Sequence, residues 1–255
     1  MDELSRLVAN ARDLVQGGYY EVKGAVPRSP SFLEGFGDRR QRSRLIAEIK
    51  YASPTMASGK STAGFRTLLD SIAAAKPLGV SVLAEPRIFG GHKDFVRIAA
   101  SKGLPVLFKD IVVDPVQIEA AAACGASAVL VIETLFARDL IGGRSQDLLD
   151  EAHDRDLDVV LEAHTIQDWE AALATDADIL GINHRDLTTM EVDSGTTVRL
   201  LSARAKDRPT IAMSGFETRA QVEAALRAGA DAVLVGASIM RDPDPARKLE
   251  ELQHG

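Results

Sequence analysis

The sequence contains a single cysteine, Cys124, which excludes an internal disulfide framework and a thiolate metal site and points to a reducing compartment. Excess positive charge is missing too: 30 Lys and Arg stand against 37 Asp and Glu, a formal net charge of −7. With no dense basic cluster to offset it, nucleic acid is not expected as a partner. No stretch approaches the roughly 20 apolar residues of a membrane span, and the opening Met1-Asp-Glu-Leu-Ser-Arg6 lacks the basic and apolar blocks of a secretory leader. The expectation is a cytoplasmic protein without a membrane partner. His92, His153, His164, His184 and His254 show no metal-ligand spacing, so no metal is expected.

What the sequence does have is an internal repeat. Gly125-Ala-Ser-Ala-Val-Leu-Val131 recurs as Gly229-Ala-Asp-Ala-Val-Leu-Val235, and Asp176-Ala-Asp-Ile-Leu-Gly-Ile182 is a looser third copy. Each copy joins a helix ending in small residues to a short apolar run without polar alternation, the pattern of a strand buried on both faces. Similar runs fall at 45–49, 80–83, 105–108, 129–132, 159–161, 179–182, 210–212 and 233–235. Between them apolar residues recur at helical spacing, as in Phe65, Leu68, Leu69 and Ile72. Thr165 with Asp168 and Thr218 with Gln221 read as capping boxes that open two of these helices. Strand and helix alternating eight times over 255 residues, with no linker-like composition shift, predict an α/β fold, a (β/α)8 TIM barrel forming one domain. A doubly wound open sheet is the competing architecture, and two clear repeat copies four units apart favour the barrel. The first 40 or so residues stand outside the alternation. Leu4, Leu7, Val8, Ala11, Leu14 and Val15 predict an extra N-terminal helix, which Gly17-Gly18 and a Pro/Ser-rich stretch follow.

In a barrel of this kind the chemistry sits where strands end, and these ends are polar. Glu48 and Lys50 close the first strand, Glu85 follows the second, Lys109-Asp110 the third, Glu133 the fourth and Glu162 the fifth. Asn183 and Arg185 follow the sixth, Ser214-Gly215 the seventh and Gly236-Ala237-Ser238 the eighth. Any one of these is read equally well as a solvated loop residue. Gathered at one mouth, they predict a site. Ser214, Gly215, Gly236 and Ala237 are small residues that let backbone N–H groups approach an anion, which predicts a phosphate site at the last two strands. Ser53, before Pro54 in the first loop, adds a hydroxyl donor.

Taken together, Leu45-Ile-Ala-Glu-Ile-Lys50, Ser53-Pro54, Leu83-Ala-Glu85 with Phe89, Lys109-Asp110, Glu162, Gly181-Ile-Asn-His-Arg-Asp-Leu187, Ser214-Gly215 and Val235-Gly-Ala-Ser238 resemble the indole-3-glycerol phosphate synthase family of tryptophan biosynthesis. The resemblance spans nearly the whole chain. It implies a cofactor-free ring closure in which an anthranilate-substituted deoxyribulose phosphate loses carbon dioxide and water. By resemblance Lys109 is the general acid, with Lys50 a cationic neighbour that favours release of its proton, and Glu162 is the base, with Glu48 beside it. Lys50 would hold the substrate's carboxylate, with Asn183 and Arg185 shaping the pocket, and Phe89, Leu234, Ser53 and Glu85 would complete it. The implied partner is a phosphorylated small molecule. A monomer or weak homodimer is expected, with another tryptophan-pathway enzyme as its protein partner if it has one.

The chain departs from the family pattern at a few positions. Met213 stands where an acid is expected before Ser214, Ala52 where a basic residue is usual, Ile111 where an aromatic is usual, and Ala237 where a serine is usual. A backbone N–H serves a phosphate whether residue 237 is alanine or serine. Met213 is the substitution that bears on activity, and it favours an alternative in which the barrel binds an aryl or sugar phosphate or a partner protein without turnover.

Overall fold

The structure, a computed structural model, describes residues 2–37, 43–50 and 62–254. It begins with two helices, α1 (Glu3–Gln16) and α2 (Phe32–Gly37). Strand and helix then alternate as β1 (Leu45–Ile49), α3 (Thr62–Ala74), β2 (Gly79–Leu83), α4 (Lys93–Ala100), β3 (Val106–Lys109), α5 (Pro115–Ala123) and β4 (Ala128–Ile132). Next come α6 (Glu133–Ala137), α7 (Ser145–His153), β5 (Asp158–Ala163), α8 (Ile166–Leu173), β6 (Ile179–Asn183) and α9 (Thr196–Ala203). The chain finishes with β7 (Thr210–Met213), α10 (Arg219–Arg227), β8 (Ala232–Val235), α11 (Ala237–Arg241) and α12 (Pro245–His254).

The eight strands form a closed parallel barrel in chain order, and β8 returns to β1 through Leu45–Val233, Ile46–Leu234 and Ala47–Val235. This is the expected (β/α)8 architecture. Every residue of β1, β2, β4, β6, β7 and β8 is buried, because helices cover the outside while side chains fill the inside.

The repeat has a local cause. In both clear copies the glycine, Gly125 or Gly229, has positive φ (78° and 114°) just past a helix end. The next N–H closes the helix on a carbonyl five residues back, Ala126 on Ala121 and Ala230 on Ala225, both at 3.1 Å. A glycine stop followed at once by a buried strand is what the eye reads as a repeat. The capping boxes at Thr165/Asp168 and Thr218/Gln221 are present, and α5 has a third at Asp114/Gln117. The third strand starts one residue later than its apolar run, at Val106. Pro105 has no N–H for the ladder and contributes only its carbonyl, which accepts from Val80 at 2.9 Å. Cys124 is buried at the end of α5 as a small apolar residue.

The N-terminal extension grips both ends of the barrel. Leu4, Leu7, Val8, Ala11 and Leu14 of α1 are buried, the leucine and valine side chains contributing about 2 kcal/mol each relative to exposure. Tyr19 and Tyr20, just beyond α1, donate to the Ala84 carbonyl and to Asp110 Oδ2, each at 2.9 Å, and so seat the segment above β2 and β3. At the opposite end Asp158 Oδ2 accepts from Ser31 Oγ and from the N–H groups of Phe32 and Leu33 at 2.8–3.0 Å, fixing the start of α2 beneath β5. Phe32 is fully buried against Gly79, where a Cβ would lie 2.8 Å from the ring.

Candidate active site

The C-terminal strand ends enclose a cavity of about 330 Å³, within the size range of small-molecule sites. Lys50 and Glu48, two residues apart on β1 and its end, both face it, and their charged atoms are 2.9 Å apart. Lys109 ends β3 and Glu162 sits in β5; Lys109 Nζ lies 3.5 Å from Glu162 Oε2. Two Lys–Glu pairs therefore share one enclosure.

The carboxylates are differently held. Burial pushes the Glu48 carboxyl up, but Lys50, then Lys109 and Arg185, outweigh it and the net displacement is downward, so Glu48 is an anion. Glu162 is almost fully buried; Asn183 Nδ2 donates to its Oε1 at 2.7 Å, whereas Oε2 has no hydrogen-bond partner. Asn183 is itself oriented by the Arg185 N–H, which donates to Asn183 Oδ1 at 2.9 Å. The Arg185 guanidinium donates to the Met190 carbonyl at 2.7 Å, pinning the loop after β6 across the cavity.

Ser214, Gly215, Gly236 and Ala237 lie together on the cavity wall. The end of β7 turns through two successive positive φ values, 74° at Ser214 and 83° at Gly215. Gly236 is needed for contact: a Cβ there would stand 2.7 Å from Glu48 Oε1. The helix that follows, α11, has only five residues.

Phe89 and Leu234 line the apolar part of the cavity with Leu83 and Ile132. Glu85, expected to contact substrate, is turned away from the lining and into its own loop. Its oxygens accept from the N–H groups of Arg87, Ile88 and Phe89 at 2.6–2.8 Å and from Asn10 of α1 at 2.9 Å. A carboxylate surrounded by unpaired loop donors satisfies them first, and Glu85 thereby fixes the loop that presents Phe89. Glu133 is likewise buried at the start of α6, off the cavity. Ser53 and Ala52 lie outside the described residues.

Other groups line the cavity: Asp110, which the sequence already places beside Lys109 at the end of the third strand, and Leu7, Glu217 and Arg241, which the sequence reading passed over. Asp110 is buried, accepts from Tyr20 and from the Ile111 N–H, and is pushed up to about 8 by burial against those donors. Leu7 arrives from α1, and Glu217 and Arg241 come from beyond the first residues after β7 and β8. Leu7, Glu217 and Arg241 do not stand where a search limited to strand ends would look. Met213 lines the wall, buried beside Gly181, where a Cβ would meet its Cε at 2.5 Å. His184, next in chain to Asn183, is off the cavity; its Nε2 pairs with Thr197 Oγ1 at 2.7 Å and burial lowers its pKa to about 4. Among the described residues no helix is long and apolar enough to cross a membrane, and no three His, Cys, Asp or Glu are grouped as a metal site needs.

Comparison with known proteins finds one family over nearly the whole chain. The indole-3-glycerol phosphate synthase of Methanopyrus kandleri is 35% identical, over 88% of this chain and 91% of that one. The indole-3-glycerol phosphate synthase of Methanocaldococcus jannaschii is 32% identical over 98% of each. Among solved structures the N-acetylmannosamine-6-phosphate 2-epimerase from Clostridium perfringens shares the fold, with a TM-score of 0.63 at 12% identity, covering 85% of this chain and 93% of that one. A family model described as indole-3-glycerol phosphate synthase matches residues 6–252. The chain belongs to the indole-3-glycerol phosphate synthase family.

Proposed function

We propose that this enzyme closes the indole ring, converting 1-(2-carboxyphenylamino)-1-deoxyribulose 5-phosphate to indole-3-glycerol phosphate with loss of carbon dioxide and water. The observation that carries the assignment of roles is the pair of Lys–Glu contacts inside one cavity, at 2.9 and 3.5 Å. The reaction needs an acid where a ring carbon attacks a carbonyl and its oxygen becomes hydroxyl. Lys109 supplies that proton. Departure of carbon dioxide then restores the aromatic ring. The new hydroxyl finally leaves as water, taking a proton, while the adjacent ring carbon gives one up. Glu162 takes the latter proton through Oε2, the oxygen without a hydrogen-bond partner, and Asn183 on Oε1 keeps the carboxylate in place.

Lys50 holds the substrate's carboxylate until it departs, with Glu48 as the anion that orients the ammonium. Asn183 and Arg185 shape that end of the pocket, Phe89 and Leu234 pack on the aromatic ring, and Ser214, Gly215, Gly236 and Ala237 cradle the phosphate. Ser53 is retained as a hydroxyl contact. The enzyme works in the cytoplasm as a monomer or weak homodimer. In support, Val192 and Val198 are the exposed large apolar side chains among the described residues, too few for a docking patch.

Met213 favours one competing reading, a barrel that binds such a phosphate without turnover, because it puts a thioether where the family resemblance leads one to expect an acid. The test is indole fluorescence on mixing purified protein with the anthranilate-derived substrate. Its appearance supports ring closure; substrate binding with no fluorescence replaces it with the binding reading.

A further inference from the structure

Among the described residues the cations lining the cavity are Lys50, Lys109, Arg185 and Arg241. Three already have tasks. Arg241, four residues beyond Ala237 at the end of α11, has none. Its Nη2 donates to both oxygens of Glu217, at 2.5 and 2.7 Å, and Glu217 lies two residues beyond Gly215. This ion pair therefore ties the loop after β7 to the helix after β8, the two segments that carry Ser214, Gly215, Gly236 and Ala237.

The pair also differs from the others in the cavity. The Arg241 and Glu217 side chains are 50% and 49% exposed, whereas the carboxylates of Glu48 and Glu162 are 8% and 3% exposed. A buried pair is costly to break, but an exposed one is screened by water and exchanges partners readily. A guanidinium also recognises a phosphate by the same two-point geometry it uses on a carboxylate.

We propose that Arg241 is the cation for the substrate's phosphate group and that Glu217 holds it until that group arrives. A phosphate ester entering between Gly215 and Gly236 takes the guanidinium from Glu217, and the displaced carboxylate turns to water. In the empty site the pair keeps this end of the cavity neutral; in the filled site Arg241 answers the dianion with charge as well as hydrogen bonds. The inference rests on the phosphate cradle proposed above and adds its counter-ion.

Inorganic phosphate is the probe, read both as a competitive inhibitor and as a shift in melting temperature, the second needing no turnover. Wild type is measured first: absence of competition and of any shift beyond that of chloride at equal ionic strength removes the cradle itself, and with it the basis of this inference. With the cradle working, Arg241→Gln raises the phosphate inhibition constant and KM about tenfold or more, the scale of one charge-assisted contact, and Arg241→Lys loses less. Glu217→Gln tightens phosphate severalfold in wild type but changes nothing in the Arg241→Gln background, because Glu217 acts through Arg241. Unchanged phosphate binding in Arg241→Gln overturns the assignment. A Glu217→Gln effect that persists without Arg241 overturns the exchange, leaving simple repulsion by the carboxylate.

Discussion

Lys109 and Asp110 are adjacent in sequence, yet they face different problems. Lys109 reaches a carboxylate across the cavity, while Asp110 is sealed under Tyr20. Lys109→Ala is expected to abolish turnover while substrate affinity stays within about tenfold, since the ammonium is proposed to act on charge that develops in the transition state; steady-state rates and direct binding on the variant check this, and full activity removes the acid role. For Asp110 the effect is on stability. Burial holds its proton in the folded state up to about 8, whereas the unfolded carboxyl ionises near about 4. Over that window the folded state binds the extra proton, so the contribution is full below about pH 4 and is lost as pH rises toward 8. Asp110→Asn imitates the protonated form and should gain on wild type by up to about 1.4 kcal/mol per pH unit across the window. Denaturant titrations of both proteins at pH 5 and pH 8 read this, and equal pH dependence would contradict it. Met213→Glu adds an anion to a wall near Lys50 and Lys109. It is expected to raise kcat and move the alkaline limb of the kcat–pH profile upward by stabilising protonated lysine; a lower kcat with an unmoved limb argues that the thioether is compensated by its neighbours.

The turn after β7 shows how an element end is built for contact. Gly215 has φ 83°, and a Cβ on it would stand 2.7 Å from Val192 Cγ1. Gly215→Ala is therefore expected to cost about 1–3 kcal/mol and to weaken competition by phosphate. Gly142→Ala, with nothing within 4 Å of the added Cβ, serves as the control near zero, and equal melting temperatures for the two variants would mean that the turn tolerates a side chain. Barrel strands were legible from the sequence because they are buried on both faces and read as unbroken apolar runs, and Gly125 and Gly229 marked where two of them begin. The short helix α2 was not legible. It has six residues in a Pro/Ser-rich stretch, and its start depends on Asp158, more than a hundred positions away. The same limit explains Glu85. Its position after β2 looked like that of Glu162 after a strand, and only the loop folding back onto its oxygens separates a positioning carboxylate from one lining the cavity. Tyr20, Leu7 and Arg241 reach the site from helices and their ends, where no local pattern announces them.

At the scale of the whole molecule, any ligand that binds only the folded barrel adds RT ln(1 + [L]/Kd) to its stability, about 2.7 kcal/mol at a hundredfold excess over Kd. Phosphate or sulfate should thus raise the melting temperature and compete with substrate; a response no greater than that to chloride at equal ionic strength argues against an anion cradle. Closure of the barrel has a further consequence, for synthesis. Glu48 and Lys50 sit near one end of the strand order and Gly236 and Arg241 near the other, and the cavity exists only once Leu45–Ala47 have paired with Val233–Val235. Ordering so long a loop costs free energy that grows only slowly with its length, but it delays the contacts that repay it. A chain emerging from the ribosome therefore carries Glu48, Lys50, Lys109 and Glu162 long before it has a pocket to put them in. The pocket is therefore expected to form late, once the eighth strand has reached the first.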